Sequence, residues 1–168
     1  MAKEKPRYVV PGSLNKRQAT NSTVQIYATL RQALLDYVSP QQEMLREIVG
    51  DPPRIYVRSA PDGVVFPYLT LLLSRTSQAA YNGYREQATL EVQALGRPES
   101  QLPLVETAMD VVDQCLTSYT NPTQGLIVGR SRTRSTIPLF TDPAESTVVG
   151  VVATYDLFLW PTVLTSRA

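Results

Sequence analysis

The chain has 168 residues, 43% of them hydrophobic and 18% charged, a balance that fits one globular domain with a real core and excludes a disordered polyelectrolyte. The net charge of +1 argues neither for nor against a polyanionic partner overall, and the absence of histidine excludes Ser-His-Asp and Cys-His catalysis and histidine metal sites. A single cysteine, Cys115, excludes an intrachain disulfide.

The first sixteen residues hold all three lysines, Lys3, Lys5 and Lys16, with Arg7 close by and Arg17 next in line. Residues 1–20 read as a basic arm that is either solvated or ordered on a partner. No apolar h-region follows it, and the longest apolar runs are too short to cross a bilayer, so the expectation is a soluble chain made in a cytoplasm, with no membrane partner.

Asn21, Ser22 and Thr23 offer N-caps for a helix to about Val38, whose buried stripe is expected from Val24, Tyr27, Leu30 or Ala28, Leu34 and Leu35. A shorter helix, Gln41 to Val49, should bury Met44, Leu45 and Ile48 and end with Gly50 at C′. After the break Asp51-Pro52-Pro53, residues Arg54 to Arg58 read as a strand, and Pro61-Asp62-Gly63 as a turn.

Phe66 to Leu95 is the central hairpin. Its second arm alternates Ala88, Leu90, Val92 and Ala94 with Gln87, Thr89, Glu91 and Gln93, which gives one apolar and one polar face. The first arm sets Leu69, Leu71 and Leu73 against Tyr68, Thr70 and Leu72 and is expected to be covered on both sides. Ser74 to Gly83 supplies the turn, with Asn82-Gly83 able to take positive φ. A helix should then begin near Gln101 or Leu102, with Pro103 in its first turn, and last to about Tyr119. Leu104, Ala108, Val111 or Val112, Cys115 and Leu116 mark its core side; Glu99, Glu106, Asp110 and Asp113 mark its wet side. Strand patterns at Leu126 to Leu139 and Thr147 to Trp160, the latter apolar on both sides, flank a turn at Thr141 to Ser146. Strands in runs with helices segregated between them predict an α+β domain over residues 21–162, with a mostly antiparallel sheet and two main helices on one face, and a tail at 163–168.

The most specific polar feature is Arg130, Arg132 and Arg134 in GRSRTRST. Regular alternation would place the three guanidinium groups on one sheet face at intervals of roughly 6–7 Å. Acids within the subunit such as Glu86, Glu91 or Asp156, a carboxylate-rich neighbouring subunit, or DNA phosphates could relieve their repulsion. Cys115, among Val111, Val112 and Leu116, reads as a small buried hydrophobe. The row Glu106, Asp110, Asp113 lacks the clustered oxygen ligands of a calcium loop, and Gly125 and Gly129 do not form a phosphate loop. No catalytic, metal or cofactor site is assigned.

The segments GDPPRIYVRSAPDGVVFPYLTLLLSRTSQ, LEVQALGR and SQLPLVETAMDVVDQCL, in this order behind an N-terminal helix and ahead of two strands, resemble the tail-terminator or tail-completion proteins of long-tailed bacteriophages. The likeness spans roughly Thr23 to Trp160 and is most visible where Arg54-Ile55-Tyr56 is followed by Ala60-Pro61 and by Phe66-Pro67-Tyr68 entering a leucine-rich strand. The basic arm and the arginine row depart from that layout. The resemblance implies a non-enzymatic virion protein that forms a homohexameric ring at the head-proximal end of the tail. Its neighbours there are the tail tube protein and the head-side connector, with genomic DNA passing through the lumen. It implies location in the virion neck, and in the host cytoplasm during assembly. Under this reading Gln87, Glu91 and Gln93 face the lumen or a subunit seam, the arginine row faces a subunit boundary, and Lys3, Lys5, Arg7, Lys16 and Arg17 form a partner-binding arm. The alternative is a DNA-binding module that uses the basic arm and the Arg130, Arg132 and Arg134 strand face.

Overall fold

A computed structural model describes residues 22–36, 40–79, 86–122, 125–140 and 148–159. Within it, helices α1 (Thr23–Asp36), α2 (Pro40–Val49) and α3 (Leu102–Leu116) pack on one face of a six-stranded sheet. The strands are β1 (Ile55–Val57), β2 (Tyr68–Ala79), β3 (Glu86–Gly96), β4 (Thr120–Asn121), β5 (Leu126–Phe140) and β6 (Val148–Leu159). Their spatial order is β1-β2-β3-β6-β5-β4, antiparallel throughout except for the parallel β1-β2 pair. The expected α+β class is therefore observed, with β4 and the parallel edge as additions. Asn82-Gly83, the Thr141 to Ser146 turn, the arm at 1–20 and the tail at 163–168 lie outside the described residues.

The core lies between the helices and the face that carries Leu69 and Leu71 of β2, Ala88, Leu90, Val92 and Ala94 of β3, Leu126 and Val128 of β5, and Val151, Ala153, Tyr155, Leu157 and Leu159 of β6. Strand periodicity placed the β3 set correctly because a period of two has no phase ambiguity once the sheet has one dry face. The expected Tyr27, Leu30 and Leu34 of α1 are buried and Leu35 packs against the core, but the edge of the stripe differs. In α1 the buried stripe is Ile26, Tyr27, Leu30 and Leu34, while Val24 is 78% exposed. Val24 lies two residues, or roughly 200° of helix, from Ile26, so the two cannot share a face. Met44 and Leu104 are likewise exposed, and α3 instead buries Val105, Ala108, Met109, Val111, Val112, Cys115 and Leu116.

The helix ends follow local chemistry. The Ser22 hydroxyl accepts a bond from Gln25 N–H at 3.2 Å and caps α1. Gly50 follows α2 at φ +88° and donates its N–H to the Arg46 carbonyl at 2.8 Å. Pro103 sits in the first turn of α3, which stops at Leu116, earlier than expected. Ser118 then turns left-handed at φ 62°, and Tyr119 to Asn121 join the sheet edge instead of extending the helix.

β2 also outruns its expected end. Ser74 to Gln78, read from composition as turn, continue the ladder, with Ser74 opposite Thr89 and Thr76 opposite Gln87. The outer face of β2 is only partly covered: Thr70 is buried, Tyr68 half-buried and Leu72 39% exposed. The outer face of β6, expected to be apolar and covered, holds half-buried Val152, Thr154, Asp156 and Phe158.

The β3-α3 junction is tight. A Cβ on Gly96 would lie 2.6 Å from Val105 Cγ2 and 3.0 Å from Gln101 Cβ, and the Gln101 carbonyl oxygen Oε1 accepts a bond from Arg97 N–H at 2.8 Å. Val105 is fully buried and β-branched, so it cannot swing aside. Gly96→Ala is expected to destabilise the fold by about 1–3 kcal/mol through overpacking. Chemical denaturation should show a lower midpoint at unchanged slope.

Candidate functional site

The helices cover one sheet face and leave the other to the side chains that alternate outward. On β3 these are Gln87, Thr89, Glu91 and Gln93, opposite Phe158, Asp156, Thr154 and Val152 of β6. Glu91 and Gln93 are half-buried, and Gln93 Nε2 donates to Glu91 Oε1 at 2.6 Å. Gln87 is exposed at the far end of the strand. The three residues singled out by alternation thus share one face of one strand. Farther across, the Thr133 and Thr154 hydroxyls are 2.6 Å apart.

The arginine row is not a regular one. β5 pairs Val128 with Leu157, Ser131 with Tyr155 and Thr133 with Thr154, so the register against β6 shifts twice between Val128 and Thr133. Each shift inserts an extra residue and breaks the alternation that would have kept Arg130, Arg132 and Arg134 on one face. Arg134, opposite Ala153, lies on the helix side. There it bonds Asp110 Oδ1 at 2.5 Å and the Glu106 carbonyl at 3.2 Å. The acid that neutralises it comes from α3, not from Glu86, Glu91 or Asp156. Arg130 is exposed at the first shift, and Arg132 occupies the strand at the second. Lys3, Lys5, Arg7, Lys16 and Arg17 lie outside the described residues.

At the β1 end of that face, residues 58–66 and the sheet border an open cleft of about 480 Å³. Its walls include Arg58, Asp62, Phe66, Tyr68, Thr70, Gln93 and Arg97. Two features shape it. Arg58 ends β1 at φ 69°, and its N–H still bonds the Leu71 carbonyl at 2.8 Å. Tyr68 stacks between Tyr56, edge-on at 5.8 Å, and Phe66 at 5.0 Å. Burial, reinforced by Tyr56, pushes the Tyr68 phenol above its ordinary value, so it stays protonated and can donate.

Two further groups escaped sequence reasoning. Arg54 donates through Nε to the Pro67 carbonyl at 2.9 Å and through a terminal nitrogen to the Ile48 carbonyl at 3.1 Å, which pins the end of α2 to the start of β2. A glycine C′ followed four residues later by arginine was the available signal. Tyr155, fully buried beneath α3, donates its hydroxyl to Asp113 Oδ1 at 2.7 Å, so Asp113 is half-buried instead of lying on a wet face. Cys115 is 6% exposed, and burial pushes its thiol up to about 11. Among the described residues no three His, Cys, Asp or Glu side chains converge in a way that could hold a metal ion, and no helix is long and apolar enough to cross a membrane.

Comparison of the sequence with family models and with curated proteins gives no match. Comparison of the fold with solved structures does. A chain from the virion of a native gene transfer agent particle overlays at a TM-score of 0.58 and 12% identity, over 78% of this chain and 91% of that one. A second solved protein, whose name carries no functional description, overlays at a TM-score of 0.50 and 17% identity, over 84% of this chain and 99% of its own. At such identities the likeness shows a shared fold and nothing finer.

Proposed function

We propose that this chain is a structural protein of a tailed-phage or phage-like virion and acts by assembly, without an active site of its own. Within that class its role is tail terminator: a ring, hexameric by resemblance, at the head-proximal end of the tail that stops tube polymerisation and joins the tail to the head connector. The observation that carries the reading is the overlay with a chain of the gene transfer agent virion, which takes in 91% of that chain. The sheet face that none of the described helices covers supports it. A domain that hides one sheet face under helices and leaves the other half-buried, with polar and apolar side chains mixed, has a surface available for a seam or a lumen, and a closed ring requires two different complementary patches on each subunit.

In this ring Gln87, Glu91 and Gln93 line the lumen or the seam, where weak attraction for phosphate lets DNA slide. Arg130 and Arg132, on the irregular stretch of β5, face a subunit boundary. The basic arm, Lys3, Lys5, Arg7, Lys16 and Arg17, reaches a neighbour. Particles assembled without this chain are expected to carry tails of uncontrolled length. The purified chain, alone or with tail tube protein, is expected to run in size-exclusion chromatography with light scattering as a ring several times the 18.6 kDa of one subunit. Arg130→Glu combined with Arg132→Glu should leave the melting temperature unchanged and abolish the ring. A strict monomer in the presence of tail tube, together with normal tail length in its absence, overturns the reading.

A further inference from the structure

We propose that the cleft bordered by residues 58–66 binds a carboxylate carried on an extended peptide segment of a partner protein. The cleft holds about 480 Å³ and opens on the sheet face that none of the described helices covers. Its polar lining is dominated by donors. Arg58 and Arg97 both contribute to the walls, and Arg58 is exposed with no ion-pair partner among the described residues. Arg58 is also held in a left-handed conformation that L side chains rarely adopt.

The second observation is Thr70. It is only 6% exposed and lines the cleft, yet its hydroxyl has no hydrogen-bond partner among the described residues. Buried hydroxyls are nearly always paired, so one left without a partner at the floor of a cleft marks the place where a ligand atom completes the set. The Tyr68 phenol, half-buried and protonated, adds another donor at the same floor. A guanidinium with hydroxyl donors nearby is the complement of a carboxylate, which brings two oxygens and accepts from all of them.

Asp62 is the intramolecular rival. It stands in the exposed Pro61-Asp62-Gly63 turn on the rim and forms no ion pair with Arg58. Phe66 and Leu95 form an apolar wall beside the donors, which suits a side chain flanking the acid in a peptide. A nucleic acid would run a series of phosphates past Asp62 and leave that wall unused. The site belongs to a single subunit and does not rest on the ring, so its failure would leave the assembly reading intact.

The test is a titration of the full chain, followed by heteronuclear NMR, with the blocked peptide acetyl-Gly-Phe-Glu-Leu-Gly-amide and with its counterpart carrying glutamine in place of glutamate. The acidic peptide is expected to shift the resonances of Arg58, Thr70 and Gln93. The neutral peptide, and the acidic peptide on Arg58→Gln or Thr70→Val, should bind at least about tenfold more weakly. Because the Thr70 hydroxyl has no partner among the described residues, Thr70→Val should keep or raise the melting temperature. Equal binding of the two peptides, no binding of the acidic one, or affinity unchanged in both variants overturns the proposal. So does a lowered melting temperature in Thr70→Val, which would make the hydroxyl a structural group.

Discussion

Arg54→Ala is expected to lower stability by about 2–4 kcal/mol, through two carbonyls left without their donors. The Arg54 guanidinium bonds the Ile48 carbonyl in the last turn of α2 and the Pro67 carbonyl just before β2. Hydrogen bonds from a charged donor to partly buried acceptors contribute about 1.5–3 kcal/mol each, and a cation at a helix C-terminus also meets the negative end of the helix dipole. The backbone around Arg54 holds independently, since Arg54 N–H bonds Val49 and Leu69 N–H bonds the Arg54 carbonyl. The variant should therefore fold and be measurable. In urea the midpoint should fall at constant slope, and the melting temperature should drop by about 2–4 °C for each kcal/mol. Arg54→Lys, which reaches one carbonyl but lacks the planar fork, should recover less than half of the loss. Full recovery by lysine would show that charge alone matters. Gly50 is part of the same device. It takes φ +88°, which a side chain would strain, and a Cβ there would also crowd the Arg54 guanidinium, so the arginine's seat depends on the glycine.

Tyr155→Phe should cost about 1.5–3 kcal/mol at neutral pH and change how stability responds to alkali. The hydroxyl is buried and donates to Asp113 at 2.7 Å, and its loss leaves a half-buried carboxylate without that donor. Burial comes first among the causes that push the Tyr155 phenol far above its ordinary value, followed by the hydrogen bond to Asp113 and the charge of Asp113. Cys115 shifts the same way, from 9.0 to about 11, through burial. Both groups keep their protons in the folded chain at a pH where the unfolded chain releases them. The stability they contribute is therefore fully present below the unfolded values. It declines as pH rises above 9 for the thiol and above 10 for the phenol. Equilibrium unfolding between pH 8 and 11 should show this decline in the parent chain and a shallower one in Tyr155→Phe, because phenylalanine does not titrate. Identical slopes would mean that Tyr155 does not carry the effect.

The central hairpin shows how far residue pattern reached into the candidate site. Alternation alone placed Gln87, Glu91 and Gln93 together on the wet face of β3, because a strand in a sheet with one dry face has a single phase. The same rule failed at Arg130, Arg132 and Arg134. Two register shifts in β5 are settled by its pairing with β6, which no local pattern encodes, and Arg134 was drawn to Asp110 of a helix. The cleft was illegible for a related reason. Its walls come from residues 58–70 and 93–97, which meet only because β1 lies parallel to β2 and β2 pairs with β3.

Local chemistry by itself therefore determined the α+β class, the dry and wet faces of β3, the Ser22 and Gly50 helix ends and the burial of Cys115. Each depends on contacts within a few residues or on a period that any sheet enforces. Long-range packing decided the edge of the α1 stripe, which Ile26 and not Val24 completes, the early stop of α3, the break in the arginine row and the cleft with its buried Thr70 hydroxyl, unpartnered among the described residues. Those outcomes turn on which strand lies beside which, a choice made by the whole core at once.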